Sequence, residues 1–234
     1  MIHNVLDYTY NVFRRIGRIM VRTYTYLLDI IFPLDPEIKT LESMSVADFF
    51  DRAERLAKGR EIPDAIIVFE YQHQLVKKAL TEAKFRGNRR IARLIGEAVK
   101  DVLIAELSDL SAFRGIENPI IVPIPMTRRA LRQRGHDQCL LLLAPIIESA
   151  HELGIKVQPD GLTKVRETGD QVGRTKQDRL QSLALSFEAN PDIVRGRSVI
   201  VFDDIVTTGA TWSEAKRALR SAGARHTILL AVAH

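Results

Sequence analysis

From residue 65 onward the chain alternates short, β-branched apolar runs with longer stretches of helical spacing, and this alternation restricts the fold more than any other feature. The runs are AIIVFEY at 65–71, PIIVPI at 119–124, a piece near IKVQP at 155–159, SVIVFDD at 198–204 and HTILLAVA at 226–233. They are short, rich in Val and Ile, and apolar at successive positions, as strands buried on both faces are. Between them QLVKKALTEAKF and RRIARLIGEAVKDVLIAEL, broken at Gly87, and the segments 138–153, 176–184 and 212–222 carry helical patterns. Strands separated by helices predict an α/β domain built on a mainly parallel sheet with helices on both faces. With 234 residues, 46% of them hydrophobic, the chain is long enough to bury such a core.

The first 62 residues read differently. Apolar positions from Ile2 to Ile31 recur at helical spacing and predict one long amphipathic helix, with Arg15, Arg18 and Arg22 on another face. FPLDPEIKTLES, at 32–43, carries two prolines and reads as a linker. SVADFFDRAERLAKG, at 45–59, has a serine suited to an N-cap and Gly59 as a stop, which predicts a short helix. The expected organisation is a helical extension over 1–35, a linker and short helix over 36–62, and the α/β domain over 63–234.

Cys139 is the single cysteine, so the chain holds no internal disulfide and no cysteine-cluster zinc site. Within CLLLLAPII it reads as a small buried hydrophobe rather than a nucleophile. No apolar run reaches the roughly 18 residues a transmembrane helix needs, and the start of the chain lacks a basic head before an apolar block. A cytoplasmic location is expected. The net charge of +5 suits an anionic partner.

The chemistry is concentrated in VIVFDDIVTTGAT, 199–211. In an open α/β sheet, ligands bind beyond the carboxyl ends of the strands, where loops lead into helices, and Asp203 and Asp204 fall at that place. TTGAT then runs into a helix whose first N–H groups face outward with positive dipole. The hydroxyls of Thr207, Thr208 and Thr211 add donors, and Gly209 allows the tight backbone curve that lets amides converge. That is a cradle for phosphate. Ionised carboxylates accept hydrogen bonds and repel phosphate, so the acids need a ligand with donors, such as the vicinal hydroxyls of a sugar. A phosphate at one end and a ribose diol beside it describe a 5-phosphoribosyl group. Neither G-x-G-x-x-G nor G-x-x-x-x-G-K-[ST] occurs, which removes the main support for dinucleotide and Walker-type sites.

VIVFDDIVTTGAT closely resembles the 5-phosphoribosyl-1-pyrophosphate (PRPP) fingerprint of type I phosphoribosyltransferases. The resemblance implies that fold, with Asp203 and Asp204 on the ribose hydroxyls and Thr207, Thr208, Gly209, Ala210 and Thr211 on the 5′-phosphate. VPIPMTRRALRQRGHDQCLLLL and KVRETGDQ resemble segments of ComF-type competence proteins, as do YLLDIIFP and LTEAKFRGNRRIARLIG. The chain departs from that family at LDPEIKTLESMSVADFFDRAERLAKG, which has no cysteine where ComF proteins usually carry a zinc-binding element.

PRPP must lose pyrophosphate, so cations are needed where that charge develops, and Mg²⁺ usually shares the load. Arg128, Arg129, Arg132 and Arg134 follow the VPIP strand end, where related transferases place their pyrophosphate loop. Lys164, Arg166, Arg174 and Lys176 lie in TKVRETGDQVGRTKQDR, whose lack of apolar period suggests a loop that closes over the leaving group. His136 is a weaker candidate acid or base. The expected function is transfer of 5-phosphoribosyl to a nitrogen acceptor with Mg²⁺ bound alongside PRPP. The alternative is a non-catalytic PRPP-binding or nucleic-acid-associated accessory protein, with DNA or the competence machinery as partner. Lys77, Lys78, Lys84, Arg86, Arg89 and Arg90 would extend its basic surface, and a homodimer is compatible with either reading.

Overall fold

The structure is a computed structural model that describes residues 35–53, 62–165 and 186–234. The long helix expected over 2–31 with its three arginines, the Gly59 stop and the helix expected over 176–184 lie outside the described residues. The chain divides into two compact units, Met1–Ser43 and Met44–His234.

In the first unit the described element is helix α1, Pro36–Ser43, where the sequence suggested a linker. The prolines misled: Pro36 stands at the first helical position, where its missing N–H is no loss and its fixed φ suits the helix. The Asp35 carboxylate accepts from the Glu37 N–H at 3.0 Å.

The second unit opens with α2, Val46–Ala53. Ser45 caps it, accepting from the Asp48 N–H at 3.1 Å while its hydroxyl donates to the Asp48 carboxylate at 2.7 Å. Phe49, fully buried, meets Phe69 edge-on with ring centroids 5.3 Å apart. Then follow β1 (Ala65–Phe69), α3 (Gln74–Arg86), α4 (Arg89–Arg114), β2 (Ile120–Pro123), α5 (Arg128–Arg134), α6 (Gln138–Glu148), β3 (Lys156–Val157), β4 (Leu162–Lys164), β5 (Phe187–Ala189), α7 (Pro191–Val194), β6 (Ser198–Ile205), α8 (Ala210–Ser221) and β7 (His226–Ala233).

The main sheet has the order β1-β7-β6-β2-β3, and every neighbouring pair is parallel. This is the α/β architecture expected from the alternation of runs. Strand residues buried on one face, among them Ile120, Val122, Val199, Val201, Leu229 and Ala231, pack with Trp212, Ala215 and Leu219 of α8. The alternate residues Ile121, Ile200, Phe202, Ile228 and Leu230 are equally buried and face the other way. There α4 and α6 contact the sheet, and α3 packs with both helices. Among the described residues, no helix is long and apolar enough to cross a membrane.

Two local differences bear on the site. The arginine run after β2 is not a loop but helix α5, started by Thr127, whose hydroxyl accepts from the Ala130 N–H at 3.0 Å, and ended by Gly135 at φ 74°. Lys164, expected on a closing loop, is in β4, which pairs antiparallel with β5 and sets Lys164 opposite Phe187. A three-residue strand pairing across a long insertion has no periodic signature in its own sequence, so neither β4 nor β5 was foreseen.

Candidate functional site

β6 is the middle strand, paired to β7 on one side and β2 on the other, and its apolar run ends in the two acids. The register sets Asp203 opposite Ala231 and Phe202 opposite Pro123, so the pair lies at the carboxyl rim with strands on both sides. Asp203 is 8% exposed and Asp204 4%. Each carboxylate is pinned through one oxygen: Asp203 Oδ1 accepts from the Asp204 N–H, and Asp204 Oδ1 from the Ile205 N–H, both at 2.9 Å.

Two carboxylates cannot share so dry a place with full charge on both. Burial, then the Asp204 charge and the hydrogen bond between the two side chains, push the Asp203 carboxyl well above its ordinary range, against the opposing pull of the Asp204 N–H and Lys84. Because the folded state holds that proton more tightly than the unfolded chain, Asp203 favours folding at low pH. The contribution fades as pH rises through the raised value.

Alternation along the strand turns Asp204 toward the face of α3, α4 and α6. Asp204 Oδ2 accepts no hydrogen bond among the described residues, but Lys84 Nζ, from the last turn of α3, lies 2.9 Å away as an ion pair. The Lys84 side chain is itself only 22% exposed. Lys84 is the main residue beside the acid pair that the sequence did not assign to this site. It stood within LTEAKFRGNRR as one cation among several, and the ion pair depends on a helix–sheet packing that no local pattern encodes.

Beyond the acids the chain turns through residues 206–209 into α8. Gly209, at φ 71°, occupies the N-cap position without a side chain to offer, so the first-turn amides of α8 receive no side-chain cap from it. The contact from the Ala210 N–H to Thr208 Oγ1 is long, at 3.4 Å. Thr207 and Thr208 are exposed, and Gly209, Ala210 and Thr211 are half-buried. The loop is held from beneath: the Val206 N–H donates to the Ala233 carbonyl at 2.9 Å, and the Val206 carbonyl lies 2.8 Å from His234 Nδ1. A carbonyl only accepts, so Nδ1 carries the proton. Nothing in the local sequence around His234 marks this contact.

The remaining candidates divide. Arg128 and Arg129 are exposed at the start of α5, just after the carboxyl end of β2, the neighbour of β6. Arg134 is half-buried and already engaged, donating to Gln138 Oε1 and lying over the Phe85 ring with Cζ 5.3 Å from its centroid. Lys164 lies 5.8 Å over the Phe187 ring. Arg166, Arg174 and Lys176 are outside the described residues. His136 Nε2 is 3.2 Å from the Ala83 carbonyl, and its ring fills the space beside Gly87, so it joins α3 to the α5–α6 corner rather than facing a ligand. Cys139 is buried, and burial followed by the charges of Asp203 and Asp204 pushes its thiol well above the usual range, as an inert thiol requires.

No family model matches the chain. Among solved structures, glutamine PRPP amidotransferase from B. subtilis, complexed with ADP and GMP, aligns with a TM-score of 0.39 at 19% identity, covering 65% of this chain and 30% of that one. Among curated proteins, competence protein ComFC of Bacillus subtilis (strain 168) is 27% identical over 160 residues, 67% of this chain and 58% of that protein. DNA utilization protein YhgH of Salmonella typhimurium is 31% identical over 145 residues, 61% of this chain and 60% of that protein. The chain therefore spans about 60% of the length of the curated relatives it matches. By sequence it is a homologue of the ComF-type competence and DNA-utilization proteins.

Proposed function

We propose that the chain binds PRPP at the carboxyl rim of β6 and transfers its 5-phosphoribosyl group to a nitrogen acceptor, releasing pyrophosphate. The observation that carries this is the continuity of two unlike half-sites. A buried, backbone-pinned acid pair suited to hydroxyl donors runs directly into a helix start whose outward amides suit phosphate. A ligand that satisfies both must be anionic at one end and carry hydroxyls next to it.

With the diol on Asp203 and Asp204 and the 5′-phosphate on residues 207–211, the sugar is held at two points and its anomeric carbon is fixed. The bond from that carbon to pyrophosphate breaks with its electron pair leaving on oxygen, and the nitrogen lone pair of the acceptor forms the new bond. Arg128 and Arg129, exposed at the start of α5 just after β2, would neutralise the departing charge. Among the described residues no three His, Cys, Asp or Glu side chains gather to hold a metal. The arrangement fits an Mg²⁺ ion carried by the pyrophosphate itself and touching one or two carboxylates, which is how that ion is commonly held. Bound there it would supply further neutralisation of the leaving group.

The direct test incubates the chain with PRPP, Mg²⁺ and a panel of bases and amines and measures pyrophosphate. Release with one acceptor and not with buffer alone is the expected result, and silence across the panel would argue against transfer. Thr208→Val should weaken PRPP binding by about 3- to 10-fold, the worth of one hydrogen bond of about 1 kcal/mol. Its side chain is exposed, so the thermal midpoint should stay within about 1 °C.

A second reading, PRPP binding without turnover in a nucleic-acid-associated protein, is favoured by the exposed cations of α5, Arg128, Arg129 and Arg132, and of the α3–α4 corner, Arg86 and Arg89. The DNA-utilization name of relatives agrees with it. Binding to DNA should then fall steeply with salt, and no binding at low salt removes the reading.

A further inference from the structure

We propose that Lys84 is a pyrophosphate-binding residue that the acid pair holds in reserve, released when the sugar hydroxyls take Asp204. The inference rests on the PRPP reading and adds to it a residue and an order of events.

The geometry allows Lys84 no idle role. Of the two oxygens of Asp204, Oδ1 is taken by the Ile205 N–H, and Oδ2 faces the Lys84 ammonium at 2.9 Å. A hydroxyl that binds Asp204 through Oδ2, the oxygen without a hydrogen-bond partner among the described residues, arrives beside the Lys84 ammonium and competes with it for that oxygen. A carboxylate buried to this degree would be strongly destabilised without a partner, which explains why the ammonium is there. A sugar hydroxyl can replace it as partner but carries no charge, so the ammonium needs a new anion nearby.

The two faces of the sheet show which anion that is. The phosphate loop leads into α8, which packs on the face of Val199, Val201 and Leu229. Lys84 arrives from the opposite face, on α3. With the 5′-phosphate on the α8 side, the end of the sugar that meets Lys84 is the one bearing the pyrophosphate. The arginine helix lies on that side too. Lys84 Nζ is 5.9 Å and Arg134 Cζ 5.3 Å from the centroid of the same Phe85 ring. Both cations therefore lie against one ring, which is itself 62% exposed and borders solvent. Lysine suits such a transfer, since its ammonium is a point charge on a stem of rotatable bonds rather than a rigid fork.

The test compares PRPP with ribose 5-phosphate, which has the phosphate and hydroxyls but lacks the pyrophosphate, by calorimetry on the full chain with Mg²⁺. Lys84→Gln should weaken PRPP about tenfold and leave ribose 5-phosphate within about twofold or slightly tighter, because a competitor for Asp204 has gone. Equal weakening of both ligands, or of neither, overturns the proposal. Should the variant not fold, acylation of the wild-type lysines read by mass spectrometry answers the same question. Ribose 5-phosphate should raise Lys84 modification and PRPP suppress it, and a Lys84 signal indifferent to both overturns the proposal. If the wild-type chain binds neither ligand, the PRPP reading itself fails; if it binds both and Lys84 is indifferent, only this inference does.

Discussion

Asp204→Asn is expected to lower affinity for PRPP by roughly 30- to 150-fold, the effect of losing about 2–3 kcal/mol of charge-assisted hydrogen bonding. The substitution keeps shape and keeps an oxygen able to accept the Ile205 N–H, so the strand end and the loop beyond it stay in place. What disappears is the negative charge that a hydroxyl donor meets. The loss should be at least as large for ribose 5-phosphate, which presents the same hydroxyls to the rim but has no pyrophosphate to meet a Lys84 that the substituted side chain no longer holds. That pattern differs from the one expected at Lys84, where only the ligand carrying pyrophosphate suffers. Calorimetry with both ligands, alongside circular dichroism to verify the fold, checks the prediction. If the Asp204→Asn protein binds PRPP like the parent, the acid pair is no part of the site and the proposed function loses its basis. Some loss of stability is tolerable, because Lys84 is 22% exposed and water can take the place of its partner.

The half of the site carried by one strand and the turn after it was legible in the sequence. Asp203, Asp204 and residues 207–211 are consecutive, and the strand-to-helix junction that orients them follows from an apolar run ending where a helical pattern starts. The half that depends on packing was not. Lys84 reaches Asp204 because α3 lies against α4 and α6 on one face of the sheet, and His234 reaches the Val206 carbonyl because β7 runs beside β6. Neither neighbour is visible from spacing alone. The arginine run illustrates a third case: its position after β2 was read correctly, but with no apolar stripe its helical form was hidden, and only Thr127 and Gly135 at its ends hinted at caps. In α1 the signal was present and misread, because a proline that begins a helix looks, in sequence, like one that prevents it.

The packing that delivers Lys84 has one tight point, and altering it should weaken the fold measurably. Gly96 lies in the interior of α4, where helix propensity alone would make alanine better by about 1 kcal/mol. Packing opposes this. A Cβ at residue 96 would stand 2.2 Å from the Leu142 carbonyl oxygen and 2.8 Å from Pro145 Cδ, both in α6. The first of these is backbone and cannot swing aside, so the two helices must separate. Overpacking of this kind costs about 1–3 kcal/mol, and contact with a main-chain atom puts Gly96→Ala at the upper end, leaving a net loss of about 2 kcal/mol after the helical gain. For a domain of this size that lowers the thermal midpoint by roughly 4–8 °C. Since α6 starts at Gln138, which holds Arg134, the shift should also disturb the corner where α5 and α3 meet. A thermal melt of Gly96→Ala checks the first effect. A midpoint equal to or above the parent's would mean that α4 and α6 do not meet through Gly96, and that the position of α3, and so of Lys84, is set by other contacts.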